Sequence, residues 1–177
     1  MEEENREARF EELIMPHLDA AYNLARWLTR NEHDAEDVVQ DAFLRAFRFF
    51  AGFHGGNSRS WLLSIVRNTG YTWLQKNRKH EVGTVFDEGM HAVEDPASNP
   101  ETLQLKSANQ ELVRQALEEL PVEFREITIL REMEGLSYNE IAEVAEIPIG
   151  TVMSRLSRAR KQLQASLAKR LHLEGLK

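Results

Sequence analysis

Apolar residues recur at helical spacing through both ends of the chain, and this period disappears between residues 82 and 100. An apolar residue that returns every three or four positions predicts an amphipathic helix, and no segment predicts a strand. The aperiodic stretch instead collects Gly, Pro, Asp, Asn and Ser, which is typical of a flexible linker. The pattern therefore predicts an all-α protein with two small helical domains joined by a linker.

The N-terminal half carries the apolar stripes of several helices. Phe10 and Ile14 predict a short opening helix, and Pro16 suits the first turn of a second one, where no backbone donor is needed. Asp34 is predicted to begin the next helix, because short acids satisfy the free amides of a first turn. The stripe of that helix comprises Ala35, Val38, Val39, Ala42, Phe43, Ala46 and Phe47, and the stripe of a helix predicted over 59–79 comprises Leu62, Ile65, Val66, Thr69 and Trp73.

Four further helical patterns occupy the C-terminal half, over residues 101–120, 121–134, 137–145 and 151–171. Ser137 and Glu140 have the spacing of a capping box, and Thr151 can cap the helix that follows. Two helices joined by a tight turn predict a helix-turn-helix. The core-facing residues of its second helix are Val152, Leu156, Ala159 and Leu163.

Charge is distributed unevenly along the chain. The net charge of −7 by itself argues against nucleic acid, since phosphate binding depends on local excesses of Lys and Arg. Residues 59–79 nevertheless hold five basic residues and residues 151–173 hold six, with no acid in either segment, whereas 81–119 holds nine acids and two bases. Two basic segments are therefore separated by an acidic one.

Both basic segments place their charges on the polar face of a predicted helix. In the 59–79 helix that face carries Ser64, Arg67, Asn68, Tyr71, Gln75 and Arg78. The outward residues of the second helix of the helix-turn-helix are Thr151, Ser154, Arg155, Ser157, Arg158 and Lys161. Such motifs insert this end of the helix into the major groove, where Arg and Lys donate to guanine or phosphate. An ordinary solvated helix face would show the same pattern.

Three stretches resemble the extracytoplasmic-function sigma factors of the sigma-70 family. They are DAEDVVQDAF at 34–43, LPVEFREITILR at 120–131 and the helix-turn-helix GLSYNEIAEVAEIPIGTVMSRLSRAR at 135–160. The resemblance covers both ends of the chain in the family's order. It implies sigma region 2 over 5–81 for core polymerase docking and minus-ten recognition and melting, a linker over 82–104, and the sigma region 4 helix-turn-helix over 105–173 for minus-thirty-five recognition.

The resemblance also implies partners. They are core RNA polymerase, through the clamp coiled coil of its β′ subunit and through its β subunit, stress-response promoter DNA, and an anti-sigma factor. The β′ contact would use Glu36, Asp37, Gln40 and Asp41. An acidic helix face with a capping Asp would carry the same residues without any partner.

The minus-ten element would be captured as single-stranded DNA by the loop over 53–59 and the helix after it. Stacking planes and a positive groove suit unpaired bases, and a loop rich in Gly and Asn can form a pocket for an extruded one. The implied residues are Asn57, Ser58, Arg59, Arg67, Asn68 and Tyr71. Trp61 and Trp73 are predicted to pack in the core.

The turn of the helix-turn-helix departs from the family pattern. Where the family usually has Leu-Gly, this chain has Ala145 and Glu146. A left-handed conformation at a non-glycine residue is uncommon and strained.

Catalytic and membrane functions find no support in the sequence. The chain has no cysteine, its six histidines lack metal-ligand spacing, and no Gly-rich phosphate loop is present. Helix capping explains the acids beside His33 better than a metal does. We therefore expect no enzyme activity, metal or cofactor, and, with no apolar run near 20 residues and an acidic N-terminus, a cytoplasmic location without membrane insertion.

Two other functions remain open at this point. A self-sufficient helix-turn-helix repressor or activator would bind duplex DNA as a dimer, without polymerase. It would have no need of an acidic docking helix followed by a basic one. A module that only sequesters a partner is the third possibility, and two separate basic faces argue against it.

Overall fold

The structure is a computed structural model that describes the backbone of residues 2–77 and 100–175 and the side chains of residues 3–77 and 107–175. Its helices, in chain order, are α1 (Glu2–Ile14), α2 (Leu18–Thr29), α3 (Glu32–Phe49), α4 (Ser58–Asn77), α5 (Pro100–Glu119), α6 (Val122–Thr128), α7 (Tyr138–Ala145) and α8 (Ile149–Gly175). Neither described segment contains a strand, and the predicted all-α class is confirmed. Of the predicted linker, residues 82–99 lie outside the described part.

The core of the N-terminal half lies between α2, α3 and α4. Leu24, Leu28 and Leu62 are fully buried there, together with most of the predicted stripes of α3 and α4. A Cβ at Gly70 would come within 2.8 Å of Leu28 Cδ1, so α2 and α4 approach each other closely at this point. Phe10 of α1 packs edge-on against the aromatic rings at the end of α3, which holds the opening helix against this core.

Helix α3 begins two residues before its predicted start. Asn31 is the N-cap, in an extended conformation, and its side chain accepts a hydrogen bond of 3.0 Å from the amide of Asp34. The prediction that Asp34 caps the helix was therefore wrong, because Asn31 already satisfies that first-turn amide. Asp34 lies in the first turn instead.

The C-terminal half forms the predicted helix-turn-helix from α7 and α8. Ser137 and Glu140 complete the predicted capping box at the start of α7. The turn contains Glu146 in the left-handed conformation, at φ 54° and ψ 45°. Helix α8 begins at Ile149, so Thr151 lies in its first turn and the prediction that it caps the helix was wrong. The predicted core residues Val152, Leu156 and Ala159 are buried, and Leu163 is half-buried.

Helix α6 continues into a π-helical turn, Ile129–Met133, where one continuous helix was predicted. The turn ends at Gly135, which has a positive φ of 67° that glycine adopts without strain. Beyond it α7 packs on α4 of the N-terminal half as well as on α8.

The two halves share a continuous apolar core. Trp27 of α2 is only 3% exposed and packs in a cluster whose other members, Leu117, Leu120, Ile129 and Ala159 among them, all belong to the C-terminal half. The apolar spacing of α2 predicts a stripe of Leu18, Ala21, Tyr22, Ala25 and Leu28. Trp27 lies outside this stripe, and Leu18, inside it, is exposed. The second half thus covers a face of α2 that the stripe does not include.

Candidate nucleic-acid and docking surfaces

An acidic face lies open to solvent along α3. Glu36, Asp37 and Gln40 are exposed, and Asp41 is half-exposed in an ion pair of 3.0 Å with Arg45 one helical turn on. We call these four predicted docking residues the acidic face. They point away from the buried stripe of α3, so they contribute little to the core.

Leu44, on the same side of α3, was missed in the sequence. Its side chain is 64% exposed, three residues after Asp41 and seven after Asp37, which is the spacing of neighbours on one helix face. A single exposed leucine is ordinary on a protein surface, and its position beside the acidic face makes its side chain accessible to any partner that binds there. Leu44 could have been noticed in the sequence, because it is an apolar residue outside the predicted stripe of α3.

The start of α4 uses two of the predicted minus-ten residues for local structure. Asn57 accepts a hydrogen bond of 3.1 Å from the amide of Ser60, as a helix cap does, and Ser58 Oγ lies 3.1 Å from His17 Nε2. Burial, followed by the charge of Arg59, lowers the pKa of His17. The loop before α4 is therefore fixed against the end of α1.

The remaining minus-ten residues lie on α4 against acidic side chains of the C-terminal half. Arg67 Nε donates to Glu126 Oε2 at 2.7 Å and its Nη2 donates to Oε1 at 3.2 Å, which makes the pair bidentate. The guanidinium also lies over the ring of Tyr71, 4.4 Å from its centroid. Arg59 Nη2 donates to Glu134 Oε2 at 2.8 Å.

Two amide side chains of this surface make further contacts across the halves. Asn57 Nδ2 donates to Glu140 Oε1 at 2.7 Å, and Asn68 Nδ2 donates to Glu146 Oε1 at 3.4 Å. Four of the six predicted minus-ten residues, namely Asn57, Arg59, Arg67 and Asn68, thus donate to a carboxylate of the other half, and Tyr71 lies beside Arg67. We call the set Asn57, Arg59, Arg67, Asn68 and Tyr71 the α4 face.

Burial dominates the electrostatics around Glu126. Its side chain is 0% exposed, and this burial raises the pKa of Glu126 against the opposing effect of Arg67. Burial alone would lower the pKa of Arg67, but its hydrogen bonds with Glu126 and the charge of that carboxylate outweigh burial and raise it. Burial, followed by the Glu126 charge, raises the pKa of Tyr71.

The predicted recognition residues of α8 lie mostly at the surface. Ser154, Ser157, Arg158 and Lys161 are exposed, and Thr151 is half-buried. Arg155 is also half-buried, with Nη1 4.0 Å from Glu126 Oε1. Glu126 therefore contacts one residue of each predicted DNA surface.

A cavity of about 420 Å³ opens between the loop before α4 and α7. Gly55, Gly56, Asn57 and Trp61 line it from the N-terminal half, and Glu143 of α7 lines it from the other half. Gly55 and Gly56 both have a positive φ, which glycine adopts without strain. Because glycine has no side chain, the backbone of both residues is open at the wall of the cavity. Trp61 is half-buried and packs on Phe53, in agreement with its predicted core role.

Family models match both halves of the chain. The model described as Sigma-70 region 2 matches residues 13–80, and the model described as Sigma-70, region 4 matches residues 110–163. The chain belongs to the sigma-70 family. These regions contain the acidic face, all of α4, all of α7 and the first half of α8.

Curated relatives of this sigma-70 chain are extracytoplasmic-function (ECF) sigma factors. It is 37% identical over 161 residues to the ECF RNA polymerase sigma factor SigE of Mycolicibacterium smegmatis, covering 90% of this chain but only 62% of that protein. It is 34% identical to the RNA polymerase sigma-H factor of Pseudomonas aeruginosa, covering 89% of this chain and 86% of that one. With the ECF sigma-E factor of Escherichia coli the identity is 36%, over 73% of this chain and 72% of the relative. The chain is an ECF member of the family.

Two solved structures share the fold. The sigma factor RpoE in complex with the anti-sigma factor NepR from Bartonella quintana has a TM-score of 0.72 and 29% identity, over 90% of this chain and 97% of that one. CnrH in complex with the cytosolic domain of CnrY has a TM-score of 0.64 and 25% identity, over 92% and 90%. Both comparisons extend across region 2 and region 4 together.

The acidic residues that face α4 from region 4 were missed in the sequence. Glu126 and Glu134 follow no spacing that sets them apart from other acids of α6 and its π-helical turn. Nothing in the pattern of region 2 predicts that Trp27 is covered by region 4.

No helix in the described part of the chain is both long and apolar enough to cross a membrane.

Proposed function

We propose that this chain directs core RNA polymerase to stress-response promoters and initiates transcription there, without catalytic activity of its own. The observation that carries the proposal is the pairing of an exposed acidic face in region 2 with an exposed basic recognition helix in region 4. A protein that bridges polymerase and promoter needs both surfaces on one chain.

The acidic face and Leu44 suit docking on the β′ clamp coiled coil. Exposed carboxylates steer association with a basic partner, and a central apolar side chain adds burial at the contact. Region 4 would bind the β subunit, with its recognition helix turned toward the DNA.

The two DNA surfaces suit different forms of the promoter. The outward residues of α8 would read the minus-thirty-five element in the major groove of duplex DNA. The α4 face, with Ser58 at the start of α4, would bind the minus-ten element as a single strand. The cavity beside Trp61 is large enough for one extruded base and has both a stacking ring and polar groups.

An anti-sigma factor is the expected regulator of this activity. One solved relative, the sigma factor RpoE, is held in a complex with the anti-sigma factor NepR, and a second, CnrH, is held in a complex with the cytosolic domain of CnrY. The likeness extends over both regions, so a partner that binds across them would find a similar surface here.

Reconstitution with core polymerase tests the function directly. The purified chain should co-purify with core enzyme, and the mixture should initiate from a subset of genomic fragments on which core alone is silent. Sequence-specific repression or activation without any association with core would instead favour the helix-turn-helix regulator. Core polymerase mixed with an unrelated protein of similar size and charge serves as the control.

A further inference from the structure

One hydroxyl at the cavity beside Trp61 has no partner in the part of the chain that the structure describes. Ser60 lines this cavity from the first turn of α4 and is only 5% exposed. Its Oγ is buried, and no described residue makes a hydrogen bond with it. An unpaired buried hydroxyl costs free energy, so such a group calls for a partner from outside the chain, a ligand or a water.

Two other polar side chains of the cavity are already engaged. Asn57 Oδ1 accepts from the amide of Ser60 at 3.1 Å, and Asn57 Nδ2 donates to Glu140 Oε1 at 2.7 Å. Ser64 Oγ donates to the backbone oxygen of Trp61 at 2.7 Å. The hydroxyl of Ser60 differs from both, because it can donate and accept without breaking a hydrogen bond of the protein.

A row of aromatic rings fixes the position of Trp61, the next residue in the chain. Its ring lies 5.0 Å from the ring of Phe53, and Phe53 stacks on Phe50 at 5.9 Å. Phe10 of α1 packs edge-on against Phe50 at 5.2 Å. The cavity therefore combines a held indole ring with an adjacent hydroxyl that has no partner among the described residues.

The cavity is open on the side of its glycines. A Cβ at Gly55 or Gly56 would meet no atom within 4 Å, so both residues border free space. Nine of the ten described lining residues lie in region 2, and Glu143 is the one from region 4. The walls thus belong to one domain, and they do not depend on how region 4 packs.

We propose that Ser60 is a specificity-determining residue of the minus-ten surface, whose hydroxyl hydrogen-bonds to the edge of one extruded base while Trp61 contacts the face of that base. The inference rests on the proposed capture of the minus-ten element as a single strand. A base is apolar on its faces and polar at its edge, which matches a cavity with one ring and one free hydroxyl. A base with an unsuitable edge would leave the hydroxyl unpaired, and the site would bind it more weakly. Ser60 is not among the six minus-ten residues that the sequence suggested.

Forked promoter fragments with a single-stranded minus-ten element test the role of Ser60. Reconstituted holoenzyme is titrated with such a fragment, taken from a genomic promoter at which it initiates. Abasic sites introduced one at a time identify the position whose base contributes to binding, and the four bases are then compared there. Ser60→Ala should reduce the preference for the best base over the worst by about three- to tenfold, the effect of one neutral hydrogen bond. Its affinity for the abasic fragment should stay unchanged.

Thr69→Val is the matched control, since it removes a buried hydroxyl from the same helix outside the cavity. Thr69 is 3% exposed, and its Oγ1 donates to the backbone oxygen of Ile65 at 2.7 Å. Holoenzyme with this variant should keep the full base preference. An equal preference in the Ser60→Ala and Thr69→Val holoenzymes would overturn the proposal. So would a uniform loss of affinity by Ser60→Ala for the four intact fragments and the abasic one, which would indicate a general packing effect.

Stability separates a binding role of the hydroxyl from a structural one. In urea denaturation Ser60→Ala should be at least as stable as the unchanged chain, because alanine removes an unpaired buried hydroxyl and is the better helix former. A clear loss of stability would show that the hydroxyl supports the fold, and would overturn the proposal.

The same titrations distinguish failure of the inference from failure of the proposed function. If the unchanged chain does not bind core polymerase, or its holoenzyme shows no base dependence at any minus-ten position, the proposed function fails and the inference fails with it. If base dependence is present and Ser60→Ala leaves it intact, the function stands and the inference alone is wrong.

Discussion

Arg155 and Arg158 lie three residues apart on α8 and have different surroundings. Arg158 is exposed, whereas Arg155 is half-buried and lies 4.0 Å from the Glu126 carboxylate. A guanidinium that faces solvent is available for base edges without breaking an ion pair. Arg158 is therefore the better candidate for direct readout of a base when the two regions pack as they do in this structure.

Replacing Arg158 by alanine should weaken promoter use by about 1–3 kcal/mol and relax the preference at one minus-thirty-five position, if its guanidinium reads a base. Transcription from a panel of single-base promoter variants measures both effects. Lys169→Ala, exposed on the same helix but far from its start, is the control. Uniform weakening across the panel would indicate a phosphate contact, and unchanged transcription would exclude Arg158 from the recognition surface.

Charge reversal at Asp37 and Asp41 should abolish association with core polymerase. Both acids lie off the buried stripe of α3, so the double Lys variant should keep its stability within about 0.5 kcal/mol per substitution. A pull-down with core enzyme measures the loss, and circular dichroism measures the fold. The matched control is Glu11→Lys/Glu12→Lys, two exposed acids of α1. Core binding by the α3 variant at the strength of this control would disprove the docking assignment.

At the scale of the element, the turn between α7 and α8 contains a strained residue. Glu146 adopts φ 54° where the family usually has glycine, and its side chain accepts from Asn68 of α4. The sequence predicted this strain, and the structure gives it a second role, since the same residue contacts the α4 face. Local strain is thus combined with a contact between regions.

Glu146→Gly should stabilise the chain by about 0.5–1 kcal/mol, because the relief of a left-handed side chain exceeds the added entropy of the unfolded glycine. Glu146→Ala is the matched control, since it removes the carboxylate but keeps the Cβ. Urea denaturation of the three proteins separates the effects. Equal stability of the Gly and Ala variants would show that the relief of backbone strain does not exceed the entropy that glycine adds to the unfolded chain.

The capping box at the start of α7 gives this element a dependence on pH. The backbone hydrogen bond from Ser137 is the main cause that lowers the pKa of Glu140 below its ordinary value of 4.5. A lowered pKa in the folded state contributes stability above pH 4.5, and this contribution is lost as the pH falls through the lowered value. Glu140→Gln, which leaves Ser137 in place as the cap, should therefore lower the free energy of unfolding at neutral pH and lower it less in acid, as measured by urea denaturation. The same cost at both pH values would contradict this mechanism.

For the whole molecule, the arrangement of the regions decides what the free protein can bind. The net charge is −7, and the five or six basic side chains of each basic segment give only weak, salt-sensitive attraction to phosphates. In this structure two of these basic residues, Arg59 and Arg67, are already paired with carboxylates of region 4. The negative net charge and these two ion pairs both weaken the binding of the free chain to DNA.

The free protein should therefore bind a promoter duplex poorly and gain specificity only within the holoenzyme. Fluorescence anisotropy of a labelled promoter fragment, with the free chain and with reconstituted holoenzyme at one near-physiological salt concentration, measures the difference. An equal concentration of core enzyme alone is the control. Nanomolar, sequence-specific binding by the free chain would refute the sigma assignment and favour the repressor.

The family, the all-α class and the helix-turn-helix follow from the sequence alone. Apolar spacing depends on the period of the helix, so the stripe of α3 and the core residues Val152 and Leu156 could be assigned without a structure. The capping box at Ser137 and the strain at Glu146 are also local, since each depends on residues within one turn. The start of α3 was missed because Asn31 and Asp34 are both good capping residues, and only the backbone conformation selects one.

The tertiary structure decided which polar residues face one another. Arg67 and Glu126 are 59 residues apart, and no local spacing relates a base of α4 to an acid of α6. Trp27 is likewise buried by residues at least 90 positions away in the sequence, as the separation to Leu117 shows. Helical periodicity reports which face of a helix is apolar, whereas contacts between regions depend on how two folded surfaces meet. The sequence therefore predicted two sets of DNA-binding residues, and the packing of the regions determined that the α4 face is covered while most of the predicted recognition residues of α8 stay exposed.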